Sequence, residues 1–307
     1  MQHIFWLIWI VSMIWKLWYC IQCSSGNQSF VYSTSFKFSY SLSTILDILQ
    51  SRYISSTGNA YHYMKVNNNE KTLLIKASSD DSIIWEKTYD VAPAMFMFDV
   101  SPDESSLYFA EQNSTDANFF RINATDGSIL LSYKTTSGTN DFQIDSVYSK
   151  LTVSEDSSSV HVFSYEDDES FYCTWDYTQT FLRWIIYNVN AAGNYRYTDA
   201  IYAIDANTAF VTTEYYDNTY LEVRKFDFSH SSNYIIWASR LTWSSWSANQ
   251  NGLLADSNTG TLYSAVDYGS RLAFFLLNTT DGAMVSGTTA IHMNSTCSSI
   301  VVFKMSL

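Results

Sequence analysis

The side chains able to do chemistry are scattered along this chain of 307 residues. Its histidines, His3, His62, His161, His230 and His292, show no His-x-His or His-Glu-x-x-His spacing that would bring imidazoles onto one metal. Each reads as a surface or satisfied core residue. Glu166-Asp167-Asp168-Glu169 crowds carboxylates into one stretch, and hard cations such as calcium take oxygen ligands. The alternating spacing of an EF-hand loop is missing, so this stretch reads as a solvated hairpin turn. Asp99, Asp103 and Glu104 could supply the carboxylate pair, roughly 5–10 Å apart, that glycoside hydrolysis requires. No Gly-x-Ser-x-Gly elbow, phosphate loop or dinucleotide fingerprint is present. The chain therefore reads more readily as a non-enzyme, with no catalytic, cofactor-binding or metal residue assigned.

Other residue types point to an address and to recognition. Asn27, Asn113, Asn123, Asn278 and Asn294 are each followed two positions later by Ser or Thr, without an intervening Pro. That is the acceptor pattern for N-glycosylation in a secretory compartment. Cys20 and Cys23 form a Cys-x-x-Cys abutting an apolar leader, where cleavage would remove them. Cys173 and Cys297 then remain as the one pair, either bridged in an oxidising compartment or buried as free thiols. Trp184, Trp243 and Trp246 fall in irregular stretches, where aromatics suit sugar stacking or protein recognition if they are not packed inside.

The elements that must position these residues are strands. Phe119–Tyr133, FFRINATDGSILLSY, reads as two strands joined by a tight turn at Asp126-Gly127. Leu73–Lys87 (LLIKASSDDSIIWEK), Val160–Trp175 (VHVFSYEDDESFYCTW), Leu221–Ala238 (LEVRKFDFSHSSNYIIWA) and Leu272–Ser286 (LAFFLLNTTDGAMVS) align on it. Equivalent positions Ser82, Ser128, Ser170, Tyr234 and Ala283 are separated by 46, 42, 64 and 49 residues, so the long step predicts an insertion around Thr178–Tyr195. Upstream of the hairpins come further strand–turn–strand phrases, among them FDVSPDESSLYFAEQ, Asp205–Thr213 and Asp256–Ser264. Four strands per step of roughly 40–50 residues mark a propeller blade. The fold expected is all-β, a β-propeller of five to six four-stranded blades, with a generic β-sandwich as the alternative.

FFRINATDGSILLSY, LLIKASSDDSIIWEK and FLLNTTDGAMVS resemble the blades of the quinoprotein-dehydrogenase-like propellers over residues 60–290. That family's repeat runs strand, acidic residue, Thr-Gly turn, strand, Trp. Here Gly holds the turn in two of the five repeats, and Trp fills its slot at Trp85 and Trp237. Catalytic members carry an adjacent-cysteine pair and metal-binding carboxylates beside the quinone; this chain has no adjacent cysteines. The resemblance thus implies the fold and speaks against the cofactor, so none is assigned.

Composition agrees with a large all-β domain. Hydrophobic residues make up 47%, charged residues 15%, and Tyr and Phe are plentiful. A net charge of −13 argues against a nucleic-acid partner, whose phosphates require a basic face. Ile4–Ile21 is a continuous apolar run that Lys16 interrupts after twelve residues. Residues 1–25 are accordingly expected to be a signal peptide or a retained signal anchor, and 26–307 the propeller. The expected location is secreted or cell-surface, with membrane attachment only through an uncleaved anchor. Thr44–Tyr53 reads as a helix, with Ile45, Ile48 and Leu49 on one face and Thr44 or Ser43 as its cap, and nearly as well as a strand. Ile300–Phe303 opens a last apolar run, which either completes the first blade or leaves the chain a fragment. The function expected is a protein- or glycan-binding module. A hydrolase whose carboxylates meet at a central channel and a structural segment of a larger surface protein are its alternatives.

Overall fold

The computed structural model of the chain describes residues 21–25, 28–30, 45–54, 56–66, 71–80, 82–89, 95–113, 116–136, 150–166, 169–176, 182–187, 196–215, 220–230, 234–242, 248–268, 271–286, 291–292 and 299–300. It is all-β, and its contacts divide the chain into two units, one of residues 1–35 with 245–307 and one of residues 36–244. Strands β1 (Ile21–Ser25) and β2 (Gln28–Phe30) belong to the first unit. The second unit holds four four-stranded antiparallel sheets. Blade 1 is β3 (Ile45–Ile54), β4 (Asn59–Val66), β5 (Lys71–Ala77) and β6 (Ile83–Tyr89). Blade 2 is β7 (Met95–Val100), β8 (Ser106–Asn113), β9 (Asp116–Asn123) and β10 (Ile129–Thr136). Blade 3 is β11 (Lys150–Val153), β12 (Ser159–Glu166), β13 (Glu169–Asp176) and β14 (Leu182–Tyr187), and blade 4 is β15 (Arg196–Ala203), β16 (Thr208–Tyr215), β17 (Tyr220–Asp227) and β18 (Ile235–Thr242). In the first unit, blade 5 comprises β19 (Ala248–Asp256), β20 (Thr261–Tyr268), β21 (Arg271–Asn278) and β22 (Met284–Ser286). β23 (Ile291–His292) pairs β21, and β24 (Ser299–Ile300) pairs β1.

Every blade is a meander whose order in space is its order in sequence. In the second unit the first strands of successive blades approach one another: β3 meets β7, β7 meets β11 and β11 meets β15. The core lies in the seams between blades. Leu107 and Phe109 of β8 join Tyr61, Tyr63 and Leu74 of blade 1, while Tyr108 and Ala110 of the same strand join Leu151, Val153, Val160 and Val162 of blade 3. Alternation of side chains across a strand thus feeds two cores, and for that reason Leu107–Ala110 of β8 is an unbroken apolar run. Phe163 of blade 3 reaches Phe226 and Phe228 of blade 4 at ring-centre distances of 5.1 and 6.4 Å. Buried aromatics of this size contribute about 2–3 kcal/mol each.

Two expectations from the sequence need correction. Ile45–Ile54 is a strand, and register shifts at Ile45/Asp47 and Ile48/Gln50 break its period of two, which is how its apolar spacing imitates a helix. The stretch Val160–Trp175 is the middle hairpin of blade 3, where Glu166 pairs Glu169 across the acidic turn, and is not its outer one. The outer strand β14 occupies part of the supposed insertion, at Leu182–Tyr187. Outer strands start at Ile83, Ile129, Leu182, Ile235 and Met284, so no blade carries an anomalously long step.

Of the predicted leader, residues 1–20 lie outside the described residues, and Ile21–Ser25 form β1. The strand expected at the C-terminal apolar run appears as β24, whose Ile300 pairs Ile21. No helix among the described residues is long and apolar enough to cross a membrane.

Candidate functional site

The carboxylates singled out in the sequence lie at the blade seams. Asp99 ends β7. Its Oδ1 accepts the Arg52 Nε hydrogen bond from blade 1 at 2.8 Å, and its Oδ2 accepts the backbone N–H of Val153 from blade 3 at 3.0 Å. One side chain therefore ties three blades. Glu104 sits in the turn Ser101–Ser106 with a φ of 56°, a left-handed conformation uncommon outside glycine. Its Oε1 accepts Asn59 Nδ2 and Tyr61 Oη, both at 2.6 Å, and lies 3.0 Å from Lys76 Nζ. Burial pushes this carboxyl up, but hydrogen bonds from Thr57, Tyr61, Lys76 and Asn59 outweigh it and hold it below the ordinary carboxylate range. The Tyr61 hydroxyl is driven far up by burial and by that same carboxylate. Asp103 caps its own turn, accepting the Ser105 N–H at 3.0 Å.

The turn itself is a repeated device. Ser101 and Ser154 play one part in blades 2 and 3: each hydroxyl accepts two backbone N–H groups, from Ser105 and Ser106 and from Ser158 and Ser159 respectively. Asp103 and Asp156 accept the same N–H groups of Ser105 and Ser158. Ser157 takes the left-handed position that Glu104 occupies. Glu104 is thus a special substitution on a common turn, one that reaches into the neighbouring seam.

A second repeated arrangement was not read from the sequence. Tyr61, Lys76 and Trp85 lie side by side on β4, β5 and β6. Lys76 Nζ stands 5.3 Å from the Tyr61 ring centre, and the Trp85 ring meets Tyr61 edge-on at 6.2 Å. Phe210, Lys225 and Trp237 repeat the row in blade 4, and Tyr108 with Arg121 forms two thirds of it in blade 2. Trp85 then docks on blade 2. Its Nε1 donates to the Ala124 carbonyl at 3.0 Å, and its ring would stand 3.1 Å from a Cβ placed on Gly127. Lys76 donates to the same carbonyl at 3.2 Å and Tyr89 Oη to the Gly127 carbonyl at 2.9 Å. The sequence signal for this row was an aromatic, a cation and a Trp recurring at cross-strand spacing.

Gly127 has the expected positive φ of 73°, yet its turn is wider than a two-residue hairpin. The Gly127 N–H reaches back to the Asn123 carbonyl at 2.8 Å, and the Asn123 N–H crosses to the Ser128 carbonyl at 2.8 Å. Gly282 and Asn278 reproduce both bonds in blade 5. The Asn123 and Asn278 side chains are half-buried, and their Oδ1 atoms accept Thr125 N–H at 2.9 Å and Thr280 N–H at 2.8 Å.

Asn113 pairs Asp116 at the end of β8; its side chain lies outside the described residues, as do Asn27 and Asn294 altogether. Cys173 and Trp184 pair on β13 and β14 by their backbones, but their side chains, and all of Cys297, Trp243 and Trp246, lie outside the described residues. The candidate disulfide and binding aromatics are therefore not placed. His62 and His161 are buried, and burial lowers both to about 4, so both are neutral at neutral pH. His161 Nε2 shares a hydrogen bond of 2.9 Å with Ser159 Oγ. His230 is exposed, 3.6 Å from Asp227. Among the described residues no group of three or more His, Cys, Asp or Glu could hold a metal ion. Glu222 in blade 4 is buried between Arg224, its neighbour on β17, and Arg240 of β18 at 3.1 Å.

Repeated four-stranded antiparallel meanders define a β-propeller-like protein. Solved propellers share that fold. TolB from Acinetobacter baumannii matches with a TM-score of 0.51 and 11% identity over 83% of this chain and 57% of that one. The periplasmic gluconolactonase PpgL of Pseudomonas aeruginosa matches at 0.52 and 12%, over 80% and 70%. A variant of Synechocystis apocarotenoid oxygenase matches at 0.53 and 10%, over 91% and 69%. The chain thus spans less than two thirds of TolB, and at such identities the likeness is one of fold. No protein-family model and no curated protein matches the sequence.

Proposed function

We propose that the chain is a secreted or surface-exposed glycoprotein whose propeller is a binding module for protein or glycan. One observation carries the reading: the carboxylates that would make a hydrolase, Asp99 and Glu104, are spent on holding blades together. The apolar run Ile4–Ile21 and the Asn-x-Ser/Thr patterns support the secretory address. Propeller loops form binding faces on a rigid scaffold, and Trp243 and Trp246 are the aromatics proposed for that role; Trp184, expected in an irregular stretch, instead has its backbone in the outer strand β14 of blade 3. The test is a screen of the secreted protein on arrays of glycans and of extracellular proteins, run beside a turnover assay on glycosidic and lactone substrates. A saturable ligand left chemically unchanged is the expected result. Turnover that disappears in Asp99→Asn without loss of folding would overturn the reading.

A further inference from the structure

The outer strands of four blades open with the same irregularity. Ala77 pairs Ile83, yet Lys76 pairs Trp85, so Ile84 is an extra, bulged residue. Leu130, Ile236 and Val285 are bulged at the same place in blades 2, 4 and 5. The bulge turns consecutive apolar residues outward, on strands that pair on one side only among the described residues. Exposure is 43% and 48% for Ile83 and Ile84 and 45% for Ile236, but 51% for both Ile129 and Leu130, and 51% and 62% for Met284 and Val285.

The two more exposed pairs are the two that follow Asn-x-Thr. Ser78, Asn123, Asp227 and Asn278 occupy one position, each donating its N–H across the turn. Asp227 closes the local turn as well as asparagine does, accepting Ser229 N–H at 2.9 Å. Asparagine is therefore not required by the turn. What it adds is a side-chain nitrogen that makes no hydrogen bond among the described residues. At about 3.3 Å per residue, the bulged pair begins within roughly 7 Å of that nitrogen's turn.

We infer that Asn123 and Asn278 carry N-glycans whose first sugars lie over Ile129–Leu130 and Met284–Val285. The modification is a transfer from a lipid-diphosphate-linked oligosaccharide. The Nδ2–C1 bond forms, the C1–O bond to the diphosphate breaks, the nitrogen's proton is lost to base, and no redox change occurs. The inference rests on the secretory part of the proposed function. The apolar faces of the sugar rings cover the bulged pair, and their hydroxyls keep the outer strand soluble.

The experiment secretes the full chain from a eukaryotic host behind a supplied signal sequence, so that the native N-terminus does not decide the outcome. Peptide masses before and after N-glycosidase treatment should place glycans at Asn123 and Asn278. Thr125→Ala and Thr280→Ala leave the backbone bonds of the turn in place and should each remove one glycan mass. Each should also raise binding of an apolar dye, and Ile129→Thr/Leu130→Ser in the Thr125→Ala background should abolish the rise. Bare asparagines in the secreted protein, or dye binding indifferent to loss of the glycan, would overturn the inference. A ligand screen that finds nothing counts against the binding role and leaves this result standing.

Discussion

Glu104 shows how much one side chain can hold. Its carboxylate receives a lysine, a tyrosine and an asparagine from the adjoining blade, on a turn whose equivalent in blade 3 carries serine. Glu104→Gln removes the charge and leaves Lys76 largely buried without its counter-ion, so it should destabilise the protein by about 2–3 kcal/mol in urea unfolding. The sequence revealed Glu104 as an acid in a turn. It could not reveal the partners, which lie 28 to 45 residues upstream and meet it only across a seam. The sequence left His62 and His161 open between surface and core; both are buried, and they carry a pH dependence. Unfolded, each titrates near 6.5; folded, burial holds both down to about 4. Between those values the unfolded chain binds more protons, so stability is full above about pH 6.5 and drains away as the pH falls toward 4. Each is worth on the order of 3 kcal/mol over that window. Unfolding midpoints measured from pH 7.5 to 4.5 should show this slope, and His161→Gln should flatten it by about half.

The outer hairpin is the unit in which sequence and packing agree best. Asp126-Gly127 announced a turn with positive φ, and that turn is also the seat for the preceding blade's Trp85. A methyl group at Gly127 would come within 2.6 Å of Lys87 and 3.1 Å of Trp85 while the backbone stays left-handed. Gly127→Ala should therefore cost about 2–3 kcal/mol. Trp85→Ala, which deletes the ring and its bond to Ala124, should cost a similar 2–3 kcal/mol in the same assay. If the two effects arise from one contact, the double variant will fall short of their sum. Blade 3 is where the frame slipped, and the reason is physical. Its middle hairpin closes between Glu166 and Glu169 with aromatic and β-branched flanks, so it imitates an outer hairpin. Its true outer strand pairs without the bulge seen in the other four blades, which removes the Ile-Ile-Trp landmark. The bulge itself was hidden because a doubled apolar pair reads as ordinary strand.

For the chain as a whole, composition and repeat spacing sufficed for an all-β propeller, because blades that bury both faces must be apolar and must recur. They could not say what the propeller meets, since recognition residues obey no period: of the aromatics singled out in the sequence, Trp184 belongs to the outer strand of blade 3, and Trp243 and Trp246 fall between the repeated phrases. The proposed division of labour, in which charged groups at the seams hold the fold and loop aromatics take the ligand, is nevertheless testable. The most direct measurement is an equilibrium titration of the secreted protein with its best array ligand, with an unfolding curve for each variant. Trp243→Ala/Trp246→Ala is expected to weaken binding at least tenfold, about 1.4 kcal/mol or more, with the unfolding midpoint unchanged. Glu104→Gln is expected to lower the midpoint and leave the affinity of the folded protein as it was. Loss of ligand affinity in Glu104→Gln at full stability, with the tryptophan variant binding normally, would contradict the account and return the carboxylates to the centre of the function.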